Sequence, residues 1–252
     1  MKTTALLTGA GSIENGWAPV LRALDLSEEK GHLANFIFST QVYQLRFFAR
    51  QLVQKGLKDP QKQECRKVLK KASDDLSKIK AKIAKELHQA QDIHLRRYFS
   101  EIYTKHISGK TDGIVPLTTN WDLQLEKTLT TYGYNGEVLH LHGSIAYPET
   151  LYLPTEAMGE PYWNEAQQTE SIKQHEEALR ELLKCKRLIL YGISISELDP
   201  ELGMLLGATI REFEEVVIVD PNPNPIKQRI ENLMKRGEPK TENCRIIEDL
   251  VT

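Results

Sequence analysis

Six short apolar runs punctuate the chain: Thr4–Thr8, Ile114–Thr118, Val138–Leu141, Arg187–Tyr191, Val216–Asp220 and Arg245–Ile247. Each is bounded by turn residues, and most lack a polar/apolar alternation, the pattern of strands covered on both faces in a parallel sheet. Helical periodicity separates most of the runs, so the simplest architecture is a βα repeat with right-handed crossovers. The expected class is α/β: a Rossmann-like parallel sheet of about six strands with helices on both faces.

The interval between the first two runs breaks this rhythm. From Glu28 to His106 the sequence reads as almost wholly helical, with one interruption between Gly56 and Pro60. Asp59-Pro60 supplies an N-cap followed by a residue suited to the first helical turn. Beyond it Leu69, Ala72, Leu76, Ile79 and Ile83 recur at alternating spacings of three and four, a helical stripe. Lys67, Lys70, Lys71, Lys78, Lys80, Lys82 and Lys85 occupy the other faces. The plain expectation is a stripe packed on the parent domain under a solvated lysine face; an oligomer contact or a phosphate-tracking surface is the sharper one. The expected division is a Rossmann-like domain of residues 1–27 and 107–252 with a helical insertion of residues 28–106 after the first strand.

Composition narrows the functional classes. A chain of 252 residues can bury one substantial core, or one core and a small subdomain. Its 40% hydrophobic and 27% charged residues are ordinary for a globular protein, and a net charge of −2 exerts no global pull on nucleic acid or anionic membrane. No apolar run approaches the roughly 18–20 residues of a membrane helix, and the chain enters a strand-like segment at once, so no signal peptide, no membrane and a cytoplasmic location are expected. Cys65, Cys185 and Cys244 form no Cys-x-x-Cys pair, which points away from a disulfide framework or a zinc ribbon; no metal is expected.

The candidate chemistry lies where the runs end. Gly9-Ala10-Gly11-Ser12 closes the first, a turn that can aim backbone N–H groups at a diphosphate. Glu14 occupies the third glycine position of the dehydrogenase fingerprint, and no strand follows at the required distance, so conventional hydride transfer is disfavoured. Thr118-Thr119-Asn120-Trp121-Asp122 closes the second run and His140-Leu141-His142-Gly143-Ser144 the third. Alternation puts His140 and His142 on one strand face, with only His142 at the glycine-marked exit. His140 therefore reads as a packed histidine bonded to backbone, and His142 as a candidate base. Gly192-Ile193-Ser194 closes the fourth run, Asp199-Pro200 caps the next helix, and Asn222 lies between prolines after the fifth. Asp122 also reads as a cap for a helix starting at Leu123, and Asn222 as an ordinary turn residue. Tyr147, Tyr152 and Trp163 fall in an irregular stretch that reads as a lid or as a loop tucked onto the core.

GAGS, TTNWD, HLHGS, YGISISELD and VDPNP in that order resemble the sirtuin family, and more closely its sirtuin-like branch in prokaryotic antiviral defence. The resemblance spans nearly the whole chain outside the helical insertion. It implies that Gly9, Ala10, Gly11 and Ser12 line the pyrophosphate of NAD. Asn120 and Asp122 would face the nicotinamide ribose and carboxamide, with Thr119 beside them, and His142 would be the catalytic base. Gly192 and Ser194 would border the adenosine-side phosphate and ribose, and Asn222 the adenosine ribose. Glu14 and Trp17 themselves read as a gate to the nicotinamide pocket or as part of a mobile loop. Two departures stand out. The four-cysteine zinc module of protein-deacylating sirtuins is missing between Ala146 and Lys184, and Asn15-Gly16-Trp17-Ala18-Pro19 replaces their Pro-Asp-Phe-Arg segment.

The implied activity is an NAD+ glycohydrolase that uses NAD as substrate and releases nicotinamide and ADP-ribose, depleting NAD+ in antiphage defence. The alternatives are an NAD or ADP-ribose sensor without turnover, and a protein deacylase or ADP-ribosyltransferase. The nicotinamide–ribose bond breaks through an oxocarbenium-like state, which a protein favours by holding the ribose and placing a base near the attacking oxygen. Histidine, with an unperturbed pKa of about 6.5, suits that base. Asn120 suits the orientation of a water or ribose hydroxyl, and Asp122 the stabilisation of positive charge. A constitutively open site would drain the host cofactor, so a lid or a homo-oligomer is expected to gate it, with the lysine-rich helix as the oligomer surface; the resemblance adds an ATP-driven translocase or a nucleic-acid sensor as partner.

Overall fold

A computed structural model of the chain describes residues 3–54, 56, 58–108, 113–196, 199–235 and 244–249. The chain divides into two compact units, one of residues 1–16, 91–142 and 173–252, the other of residues 17–90 and 143–172.

The first unit is built on a six-stranded, all-parallel sheet: β1 (Thr3–Thr8), β4 (Ile114–Thr118), β5 (Leu139–His140), β6 (Cys185–Tyr191), β7 (Glu215–Val219) and β8 (Arg245–Asp249). All six predicted strands form, within two residues of their expected ends. Their spatial order is β5-β4-β1-β6-β7-β8, the doubly wound order in which the winding reverses at β1. Leu6, Leu7, Leu188, Ile189, Val216 and Val217 are consecutive pairs that point to opposite faces, and all are fully buried, so the sheet is covered on both sides. The helices that accompany the strands are α4 (Phe99–Ile102), α5 (Gln124–Thr131), α6 (Glu165–Leu182), α7 (Pro200–Thr209) and α8 (Pro223–Lys235). A second, two-stranded antiparallel sheet pairs β2 (Ile13–Glu14) with β3 (His94–Leu95). The reading of residues 28–106 as almost wholly helical did not include this strand: His94-Leu95 is too short and polar to carry a strand period, and its conformation comes from its partner.

The second unit holds α1 (Ala18–Ala23), α2 (His32–Val53) and α3 (Asp59–Gln89). Helix α2 buries Ala34, Phe38, Val42, Leu45 and Ala49, and α3 buries Leu76, Ile83, Ala84 and Leu87, each set on one helical stripe. Helix α3 begins at Asp59, one residue before the expected start, and the Gln61 side chain accepts the Lys58 N–H at 3.1 Å. Six of the seven lysines lie on exposed faces as expected, but Lys80 is buried. Its ammonium meets the Glu156 carboxylate at 2.9 Å.

That pair explains why residues 143–172 group with these helices rather than with the sheet. Glu156 also accepts from Leu153 N (2.7 Å), Tyr162 Oη (3.0 Å) and Trp163 Nε1 (3.2 Å). Arg46 of α2 bonds both oxygens of buried Glu160, which also accepts the Ala157 N–H at 2.8 Å. Burial and the two carboxylates push the Tyr162 hydroxyl pKa up, so it remains a donor. A buried charge is tolerable only when paired and hydrogen-bonded, so each carboxylate ties the irregular stretch to one long helix. Tyr152 and Trp163 are buried with ring centroids 4.7 Å apart, while Tyr147 is exposed. Gly143 has φ +74°, and a Cβ there would lie 2.1 Å from Thr150 O, so this strand-exit glycine is required by its own loop.

Candidate active site

The carboxyl ends of β1 and β6 adjoin at the point where the sheet winding reverses, the usual crevice of this topology. Their exit turns are locked together there. Gly11 N–H donates to Gly192 O (2.8 Å), Gly9 N–H to Tyr191 O (3.1 Å), and Ser12 N–H to Gly9 O (2.9 Å). A Cβ on Gly9 or Gly11 would lie 2.8–2.9 Å from Gly192 O, and one on Gly192, whose φ is +57°, would lie 2.1 Å from Ser12 N. The three glycines are thus demanded by backbone meeting backbone.

This revises the expected use of the glycine turn. The N–H groups of Gly9, Gly11 and Ser12 are engaged inside the protein, and the Ser12 hydroxyl is buried and donates to Gly9 O at 2.6 Å. Ala10 and Gly11 are the part of the turn open to solvent. A cation that sequence reading did not find stands beside them: Arg96 is exposed, and its Nε donates to Gly11 O at 2.9 Å. Its backbone N–H donates to Ser12 O at 2.9 Å. Its signal was hidden because the contact runs through β3, which has no sequence signature.

Asn120 is buried and braces the same turn, its Nδ2 donating to Gly9 O (3.2 Å) and to Ser12 Oγ (3.4 Å). Only the acceptor side of its amide, Oδ1, is then placed to meet a ligand donor. Thr119 N–H donates to Thr8 O at 3.0 Å, which carries the β1–β4 ladder one step past the strands. Asp122 is sealed, and its Oδ1 accepts the Gln124 N–H at 2.9 Å. Burial, only partly offset by that bond, pushes its carboxyl up. The bond it makes is the helix-entry contact of the plain reading. Between these two, the Trp121 indole N–H is buried with no hydrogen-bond partner among the described residues. Such a donor is open to a ligand acceptor.

The two histidines of the third strand exit differ as alternation suggested. His140 is sealed: Nδ1 meets Asn120 O at 3.0 Å and Nε2 meets Glu126 Oε1 at 2.5 Å. A carbonyl and a carboxylate both accept, so the ring carries both protons; burial lowers its pKa, but Glu126 and the carbonyl raise it further. His142 is 21% exposed, and its Nε2 lies 3.1 Å from Asp199 Oδ2. Asp199 caps α7 with the other oxygen, accepting Leu202 N–H at 3.0 Å. Burial raises the Asp199 carboxyl, but the His142 bond and the cap outweigh it and hold it below the ordinary range. The cap was legible in the sequence; the pairing with His142 was not, because 57 residues separate the partners.

The remaining predicted residues are exposed. Ser194 is exposed after β6. Asn222 is exposed after β7, its N–H taken by Asp220 Oδ1 at 2.8 Å, as the turn reading expected. Trp17 is exposed at the start of α1 in the other unit, and exposed Glu14 pairs with His94 at 3.1 Å. Among the described residues no group of three or more His, Cys, Asp or Glu side chains is placed to hold a metal ion, and no helix is long and apolar enough to cross a membrane. The chain matches no protein-family model, no curated protein and no solved structure.

Proposed function

We propose that this chain binds NAD+ along the carboxyl edge of its sheet and hydrolyses the nicotinamide–ribose bond, with His142 as general base. The observation that carries the reading is the His142–Asp199 pair: a partly exposed imidazole held by a carboxylate at the carboxyl end of a doubly wound sheet. Pairing through Nε2 makes that nitrogen the protonated one and puts the basic lone pair on Nδ1. Water attacks C1′ of the ribose, the C1′–N bond breaks, and nicotinamide leaves with the bonding electrons. The water proton passes to His142, and the Asp199 carboxylate stabilises the imidazolium. Asn120 keeps the glycine turn in place beneath the dinucleotide, and the Arg96 guanidinium offers the positive charge for its diphosphate.

The test is release of nicotinamide from NAD+ by the purified chain, followed by chromatography. His142→Ala should lower turnover by about 100-fold or more while ADP-ribose still binds. Undiminished turnover in that variant would overturn the mechanism. A wild type that binds ADP-ribose and releases no nicotinamide would favour the sensor reading. NAD+ depletion in defence and a translocase or nucleic-acid-sensing partner rest on the family resemblance alone, and self-assembly on the need to gate the site.

A further inference from the structure

His140 is a polar side chain sealed into an apolar strand. Its neighbours Val138, Leu139 and Leu141 are buried, and its Cα pairs with that of Thr118 in the parallel ladder. Leucine or phenylalanine would suit the position, and a buried ion pair is a poor source of net stability. What the imidazolium supplies is two directed bonds from one rigid ring. Nε2 donates to Glu126 Oε1 of α5, and Nδ1 donates to Asn120 O at 3.0 Å.

The second of these bonds falls on the residue whose side chain braces the glycine turn. Asn120 N–H donates to Thr118 Oγ1 at 3.0 Å and its carbonyl accepts from His140, so its backbone is held from both sides. With the backbone fixed, Nδ2 reaches Gly9 O and Ser12 Oγ. We propose that His140 and Glu126 are positioning residues, which fix the backbone of Asn120 and so hold its side-chain amide in the orientation that braces the glycine turn and leaves Oδ1 for a ligand. The line of support runs from Glu126 through the His140 ring to the Asn120 backbone, and through the Asn120 amide to Gly9 and Ser12. Every link in it is a hydrogen bond. Neither residue needs to touch substrate. The use of Oδ1 rests on the proposed NAD+ site, but the orientation of the amide can be tested without any ligand.

The direct readout is the Asn120 side-chain amide in ¹⁵N-labelled protein without NAD+. Wild type should show two separate Nδ2 proton resonances that exchange slowly with water, and a His140 ring protonated on both nitrogens. His140→Phe keeps an aromatic ring and removes both donors, and should speed that exchange about tenfold or more. His140→Asn, whose Nδ2 takes the place of Nδ1, should restore the slow exchange. Leu129→Ala removes fully buried packing from α5 and no hydrogen bond, so it should lower stability and leave the Asn120 amide unchanged. An unchanged Asn120 amide in a folded His140→Phe protein overturns the proposal, whatever the protein binds. If the phenylalanine variant does not fold, the wild-type ring decides, because an Nδ1 without a proton cannot donate to Asn120 O and overturns it too. ADP-ribose should bind His140→Phe about tenfold more weakly than wild type. The same substitution should add no further loss to Asn120→Ala, and an additive loss would overturn action through Asn120. A loosened amide in a protein whose wild type binds no ADP-ribose would support the positioning role and count against the NAD+ reading instead.

Discussion

Two carboxylates, Glu156 in the helical unit and Asp199 in the sheet unit, each meet a basic side chain at about 3 Å, yet they are built to different ends. Glu156 is sealed and receives a lysine, a backbone N–H, a phenol and an indole. Both its oxygens are taken, and its cation, Lys80, is buried with it. Asp199 is 18% exposed and divides its oxygens between a helix cap and a partly exposed imidazole. A saturated, sealed pair fixes structure. A pair left partly open with a titratable partner is where a protein can do chemistry. His140 belongs with Glu156 in this respect, although it lies only two residues from His142.

The comparison breaks first at Lys80. Lys80→Met leaves the Glu156 carboxylate buried without its cation and should remove about 3–5 kcal/mol of stability, read from the midpoint of denaturant unfolding. An unmoved midpoint would mean that the cluster is not the structural node described. Gly192→Ala comes next. A methyl group there combines a left-handed backbone with a clash on Ser12 N, and should reduce stability by about 2–4 kcal/mol in thermal unfolding. Asp199→Asn sharpens the contrast. Asparagine caps helices as well as aspartate, so stability should change by less than about 1 kcal/mol. Loss of the carboxylate beside the ring should cut nicotinamide release about 100-fold, which is about 2.7 kcal/mol of barrier. A large stability loss with little change in turnover would place Asp199 on the structural side with Glu156.

The smallest effect is the pH dependence of His140. Its folded pKa is raised by Glu126 and the Asn120 carbonyl, against burial, above the unfolded value of about 6.5. Its stabilising contribution is therefore complete below that unfolded value and declines as pH rises through the folded one. The stability gap between wild type and His140→Gln should narrow as pH rises above about 6.5 in parallel melts. A gap that widened would mean the ring is held neutral.

Much of the sheet was legible along the chain because a strand buried on both faces must be apolar throughout, and that pattern needs no partner to be read. The glycines after β1 and β6 were legible as turns, and His140 as a packed side chain, for the same local reason. What the glycines are for was not legible: Gly9, Gly11 and Gly192 make room for one another, a fact that exists only when two strands lie side by side. The same holds for Lys80, indistinguishable in sequence from its exposed neighbours, and for β3, which is a strand only because β2 pairs with it. Local periodicity and turn chemistry are properties of consecutive residues, so the sequence by itself determined the elements, their class and the strand exits where polar groups gather. Which imidazole meets which carboxylate depends on segments distant along the chain being brought within 3.3 Å, and that was decided only by tertiary packing.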